Sequence, residues 1–402
     1  MTVNSSSSRS IPRSGAETRM AEKLQERVVS HSFRRLIPAD ASLIDFCSND
    51  YLGLARSEEL LREVEAEWKK LRATKTIQLI GSGGSRLLAG DSIYAAELEK
   101  ELAEFYKSES FLVFNSGYSA NLALFSSIPR RGDTIIFDDL IHASVRDGIR
   151  MSYAKSRSFS HNNLTELEEQ LKKLSSIETR EDHLGEIFVA VESVYSMDGD
   201  QCPLQEMVAL CEKYNASLIL DEAHSNGLYG EKGEGIAVEK GLQDRIFARL
   251  VTFGKAAGCH GAGIAGSKTL RDYLVNYARP FIYTTSLPVH DLAVMRCAVR
   301  NFSQMKAVRQ QVFSFVNYFR NKAKEYPSIR LLPSESPIQG ILIGGNQKTR
   351  EVAAACRENN FDLRAVLSPT VPEGEERLRV IIHAFNHPME IDELLRVIGP
   401  EV

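Results

Sequence analysis

Short apolar runs alternate with helix-period stretches along most of this chain. The runs at 111–114, 134–137, 186–191, 217–220, 250–253 and 263–265 have the length and the β-branched or aromatic content of buried strands. Between most of them, 118–127, 142–151, 164–174 and 204–214 place apolar residues at helical spacing. Asn163 suits the N-cap of the third of these helices, and Asn215 suits the stop of the fourth. Strand and helix in repeated alternation predict an α/β domain whose sheet is mostly parallel and covered on both faces. Near 287 the pattern changes to a long helical stretch reaching about 324. After it come a strand-like 338–343, a helix over 348–359, a strand-like 378–382 and a last helix from Glu390, which predict a smaller α+β unit. The division expected is a disordered tail over 1–20, an N-terminal segment over 21–75 that packs between the two units, a large domain over 76–287 and a small C-terminal domain over 288–402.

Composition narrows the partners. The 402 residues carry 49 Lys+Arg against 53 Asp+Glu, a formal charge of −4, with 43% hydrophobic and 25% charged residues. That is a globular balance with no basic stripe, so nucleic acid is not an expected partner. No apolar run approaches the roughly 20 residues of a membrane helix, so no membrane partner is expected either. Six cysteines lie far apart without CxxC or Cys/His ligand spacing; they read as reduced thiols of a cytoplasmic protein with no metal site. The head of the chain holds Ser5 to Ser8, with Arg9, Arg13 and Arg19 against only Glu17. It reads as a disordered tail, with an organellar transit peptide as the alternative.

Four motifs at predicted strand ends carry candidate chemistry, the place where open α/β sheets bind ligands. Leu218-Ile219-Leu220-Asp221-Glu222-Ala223-His224 ends a buried strand in a carboxylate, which is costly unless a cation faces it. Val251-Thr252-Phe253-Gly254-Lys255 delivers a lysine among small residues, where desolvation would lower its pKa and make it a nucleophile. Taken alone, Asp221 also suits a helix cap and Lys255 a solvated loop. Taken together, they match a pyridoxal phosphate site, in which a lysine holds the aldehyde and an acid keeps the pyridine nitrogen protonated. Asn115-Ser116-Gly117-Tyr118 opens a helix whose free N–H groups can bind phosphate. Asp138-Asp139-Leu140-Ile141-His142 places an imidazole that can either start a helix or stack on a planar ring. Two sharper motifs fail: Asn121 stands where a nucleophile elbow around Ser119 needs glycine, and Arg86 where a dinucleotide fingerprint needs its third glycine.

With those residues assembled, the chain resembles the α-oxoamine synthases of the fold-type-I pyridoxal phosphate superfamily. The resemblance runs from Asp45-Phe46-Cys47-Ser48-Asn49-Asp50-Tyr51 to near the C-terminus and includes Ser196-Met197-Asp198-Gly199-Asp200 and Tyr283-Thr284-Thr285-Ser286. It implies a fold-type-I transferase, with a mostly parallel central sheet in the large domain and a smaller α+β C-terminal domain. It implies Lys255 as the Schiff-base lysine and general acid/base, Asp221 as the pyridine partner and His142 as the stacking imidazole. His224 and Ser196 would bond the ring hydroxyl side, and Glu192 and Asn49 would line the site. Gly117, Tyr118 and Thr252 would hold the phosphate, with Thr284 and Thr285 reaching in from the second subunit of a homodimer.

Within the family the motifs are most similar to the biotin-pathway members. They imply decarboxylative condensation of L-alanine with a pimeloyl thioester, on CoA or a carrier protein, to give 8-amino-7-oxononanoate. A 2-amino-3-ketobutyrate CoA ligase, a serine palmitoyltransferase-like enzyme and, further off, an aminotransferase are the alternatives. One position departs from the biotin-type pattern: Leu367 stands where an arginine commonly grips the amino-acid carboxylate. Arg364 or Arg379 is then the expected cation.

Overall fold

The structure, a computed structural model, describes residues 14–74, 77–175 and 185–402. Of the tail expected over 1–20, residues 1–13 lie outside the described residues, and the rest departs from the expectation by opening helix α1 (Gly15–Val29). Ser14 and Glu17 form a reciprocal capping box: the Glu17 N–H donates to the serine hydroxyl and the Ser14 N–H donates to the Glu17 carboxylate. That local bond set starts a helix even though α1 buries none of its side chains. After it come β1 (Ile44–Asp45), α2 (Glu58–Thr74) and α3 (Ile93–Phe105).

The central sheet is built from β2 (Ser110–Phe114), β3 (Thr134–Asp138), β4 (Lys155–Phe159), β5 (Ile187–Glu192), β6 (Ser217–Asp221), β7 (Ala248–Thr252) and β8 (Ala262–Gly266). Their order is β2-β8-β7-β6-β5-β3-β4, parallel except for β8, which runs antiparallel to both neighbours. Each inner strand alternates between two cores, because successive side chains leave opposite faces. Val189, Val191, Leu218 and Leu220 enter one core, while Phe188, Ala190 and Ile219 enter the other. Helices α4 (Gly117–Ser127), α5 (Ala143–Met151), α6 (Leu164–Ser175) and α7 (Leu204–Lys213) cover these faces at the expected places. Asn163 accepts the Glu166 N–H at the start of α6, and Asn215 sits at φ 51 just past α7. Strand β4 has no counterpart among the predicted runs. It is the sheet's edge, paired on one side only and exposed over four of its five residues, so it carries no apolar signal.

A short α8 (Ile236–Glu239) lies between β6 and β7; past β8, α9 (Lys268–Tyr277) and α10 (Arg279–Ile282) lead into α11 (Val289–Gln304) and α12 (Lys306–Ala323). The single long helix expected here is broken at Met305, where the buried Arg309 donates to the Phe302 carbonyl at 2.6 Å and satisfies the end of α11. Leu292, Met295 and Phe302 of α11 belong to the large core, whereas Val316 and Phe319 of α12 belong to the C-terminal one. The two cores therefore part within α12 rather than at 287–288. The C-terminal unit adds β9 (Arg330–Leu331), β10 (Ile338–Leu342), α13 (Asn346–Glu358), β11 (Phe361–Asp362), β12 (Arg364–Val366), β13 (Arg377–Ile381) and α14 (Pro388–Ile398). The head of the chain stitches the units together: β1 pairs with β11, Phe46 enters the C-terminal core, and Tyr51 enters the large one. Among the described residues no helix is long and apolar enough to cross a membrane.

Candidate active site

Strands β2, β3, β5, β6 and β7 all point the same way, so their C-terminal ends deliver the candidate residues to one edge of the sheet. Glu192 and Asp221 are register partners at the ends of β5 and β6. Burial first, and then the neighbouring Asp221 carboxylate, push Glu192 well above the usual carboxylate range. Its Oε1 is buried without a hydrogen-bond partner. Asp221 accepts from the Asn121 amide at 2.9 Å and from the Ala223 N–H at 2.9 Å. Among the described residues no cation comes within ion-pair distance of Asp221; Lys255 acts on it only through space. A buried carboxylate lacking a partner cation fits a protonated ring nitrogen.

The turn after β7 brings Lys255 to the same edge. Desolvation lowers its pKa to about 8, although the Asp221 and Glu192 carboxylates work the other way. Its Nζ lies 2.8 Å from His224 Nε2, and His224 Nδ1 lies 2.7 Å from the Tyr51 hydroxyl. Burial, followed by the charges of Lys255 and Arg379, holds His224 well below the ordinary imidazole range, so the ring is neutral. Asn49 joins this chain, accepting from Tyr51 at 3.3 Å and from Arg379 Nη2 at 2.9 Å. The same Arg379 donates from Nε to the carbonyl of the half-buried Ser196 at 2.6 Å.

His142 is the N-cap of α5, bonded through Nδ1 to Ser144, and its ring stays exposed toward the site. Ser144 also accepts from Asn121, which links the His142 helix to Asp221. Ser116 caps α4 and takes the Ser119 N–H, leaving the N–H groups of Gly117 and Tyr118 for an anion. A side chain on Gly117 would meet the Thr252 methyl at 2.6 Å, so glycine lets this loop lie directly on β7. An amine of lowered pKa, an unpaired carboxylate, an exposed imidazole and a capped helix N-terminus together fit pyridoxal phosphate.

Three further candidates meet partners within the chain. Arg364 and Arg379 are opposite each other in the β12–β13 pair, and Asp362 takes the first of the two like charges, with Arg364 Nη2 at 3.0 Å. Arg364 thus has a carboxylate partner of its own, whereas among the described residues Arg379 pairs with no carboxylate. Thr284 and Thr285, expected to serve a second subunit, meet Asn115 of their own chain. Sequence reasoning passed over Tyr51 and Asn121, whose roles depend on partners 173 and 100 residues away.

Residues 41–398 match the family described as Aminotransferase class I and II. An 8-amino-7-oxononanoate synthase from Emericella nidulans is 38% identical over 395 residues, covering 94% of each chain. Another from Marinobacter nauticus is 37% identical, covering 93% of this chain and 91% of that one. Among solved structures, a serine palmitoyltransferase from S. paucimobilis with bound PLP superposes with a TM-score of 0.85 at 25% identity, covering 97% of this chain and 98% of that one. An 8-amino-7-oxononanoate synthase from Francisella tularensis superposes with a TM-score of 0.73 at 27% identity, covering 90% and 98%.

Proposed function

The chain belongs to the class I and II aminotransferase family, and on that footing we propose that it condenses L-alanine with a pimeloyl thioester, releasing CO₂ and the thiol to give 8-amino-7-oxononanoate. The observation that carries this reading is Arg379, set beside Asn49 and joined through Tyr51 and His224 to Lys255, where it can hold an amino-acid carboxylate within reach of the lysine. The relatives of highest identity above carry this activity in their names, and the serine palmitoyltransferase likeness is the second reading.

Pyridoxal phosphate, when bound, supplies an electron sink for the charge left on the amino-acid α-carbon. Lys255 takes the α-proton, and a pKa near 8 puts a useful share of neutral amine at physiological pH. Asp221 would hold the ring nitrogen protonated, and His142 would stack on the ring. His224 and Ser196 would serve the ring hydroxyl side, and Glu192, its pKa raised by burial and by Asp221, lines the site. Gly117, Tyr118 and Thr252 would hold the phosphate. Arg379, with Asn49, orients the carboxylate so that the α-proton faces Lys255.

The assembly is proposed to be a homodimer in the cytoplasm. Met20, Leu24 and Val28 form an exposed stripe on α1, and Leu79, Ile80, Leu87, Leu88 and Tyr283 are exposed as well, the kind of apolar surface that marks an interface. A second copy would cover that surface and bring Thr284 and Thr285 toward its neighbour's phosphate site.

The test is turnover by purified, cofactor-loaded protein. With L-alanine and pimeloyl-CoA, or pimeloyl-carrier protein, one CO₂ and one thiol should appear per product, and Lys255→Ala should abolish all three. Turnover of L-serine with palmitoyl-CoA, of glycine with acetyl-CoA, or of a 2-oxo acid, with none from L-alanine, would overturn the assignment.

A further inference from the structure

His161 lies in the turn after β4, outside every motif that marks the site. Its Nδ1 is 2.9 Å from Asp138 Oδ1, and its Nε2 is 2.7 Å from Asp200 Oδ2. Ionised carboxylates only accept hydrogen bonds, so both ring nitrogens must carry protons and the ring is an imidazolium. Burial alone would lower its pKa, but the two carboxylates raise it to about 10.

Each carboxylate belongs to a different site loop. Asp138 is fully buried at the end of β3, where it also accepts the Leu140 N–H at 2.8 Å and the Asn162 N–H at 2.9 Å. It opens the turn that delivers His142 to α5. Asp200 closes the loop carrying Ser196; its carbonyl accepts the Tyr195 N–H at 2.9 Å, and its Oδ2 accepts the Asn162 amide at 2.8 Å. The Tyr195 ring meets the imidazolium edge-on at 4.4 Å between centroids. The nearby Asp198 is already paired with Arg377 at 2.5 Å, which leaves His161 as the cation joining Asp138 to Asp200 among the described residues. Without its charge, two carboxylates would face each other across the gap between the loops.

We propose that His161 is a positioning residue, a charged clasp that ties the loop bearing His142 to the loop bearing Ser196 and so sets the His142 ring over the cofactor. This deepens the functional reading above and rests on it.

The experiment is a double-mutant cycle on the cofactor-loaded enzyme, pairing His161→Gln with His142→Ala. It is read by kcat, by KM for L-alanine and by the visible circular dichroism of the bound cofactor, which reports ring orientation. His161→Gln should lower kcat about 10-fold, leave KM within about 3-fold and change the dichroic band. In the His142→Ala background the further loss should shrink to about 2-fold or less. Independent, multiplying losses, or an unchanged band and kcat, would overturn the proposal. If His161→Gln does not fold, Asp200→Asn, which cuts one arm of the clasp, must show the same coupling to His142. Wild-type protein that binds cofactor but does not condense the substrates would defeat the functional reading instead, while the dichroic coupling would still report on the clasp.

Discussion

Lys255 Nζ lies 2.8 Å from Nε2 of His224, and the proton arrangement between them follows from their surroundings. His224 is held neutral by burial and by the charges of Lys255 and Arg379. With Nε2 accepting from the lysine, Nδ1 carries the proton and donates to the Tyr51 oxygen, and Tyr51 donates onward to Asn49.

The lowered Lys255 pKa sets a pH dependence. Below about 8 the side chain is an ammonium without a lone pair; above it the neutral amine can attack an aldehyde. The rate at which cofactor-free protein takes up pyridoxal phosphate should therefore rise through about pH 8 and level off. An unperturbed lysine would place the midpoint near 10.4. Stopped-flow absorbance across that range checks this, and a rate still climbing past pH 10 contradicts it.

Tyr51→Phe leaves the buried His224 N–H without its acceptor. The expected cost is about 1–2 kcal/mol of stability in urea unfolding of the cofactor-free protein. A midpoint and slope equal to wild type would show that the Tyr51 hydroxyl bonds contribute nothing.

Arg379 and Arg364 separate cleanly. Arg379→Gln should raise KM for L-alanine about 100-fold, the effect of losing a charge-assisted carboxylate contact. Arg364→Ala removes a pair with Asp362 that is about one-third exposed on the arginine side, together with a contact to Cys47, and should leave KM within about 2-fold. The reverse ranking would move the carboxylate site to β12.

Gly117→Ala places a methyl 2.6 Å from the Thr252 methyl and pushes the phosphate loop off β7. Cofactor affinity in an absorbance titration should fall about 10-fold, the size of a moderate overpacking penalty. Thr252→Ser removes the opposing methyl and should restore most of that loss in the double variant. No rescue would mean that the clash is not the cause.

Local pattern was enough to read the strands of the large sheet other than β4, the helices α4 to α7 that cover them and the residues at their ends. A buried strand and an amphipathic helix declare themselves through the period of their own apolar positions. The strand-end positions of Lys255, Asp221, His142 and Gly117 were legible for that reason, and the parallel strands bring them to one edge of the sheet. The capping box at Ser14 and Glu17 is equally local, but the surrounding serines and arginines made the stretch read as a disordered tail. Strand β4 was not legible, since an edge needs no apolar face.

Tertiary structure alone decided the pairings. That Glu192 stands beside Asp221 follows from strand order and register, which no periodicity encodes. That Arg364 stands opposite Arg379 and pairs with Asp362 follows from the register of β12 against β13. His161 becomes a cation only because folding brings together Asp138 and Asp200, 23 and 39 residues away from it. Burial of each residue type is written in the sequence next to it. The charge a buried group carries is set by the groups that crossover connections bring to face it.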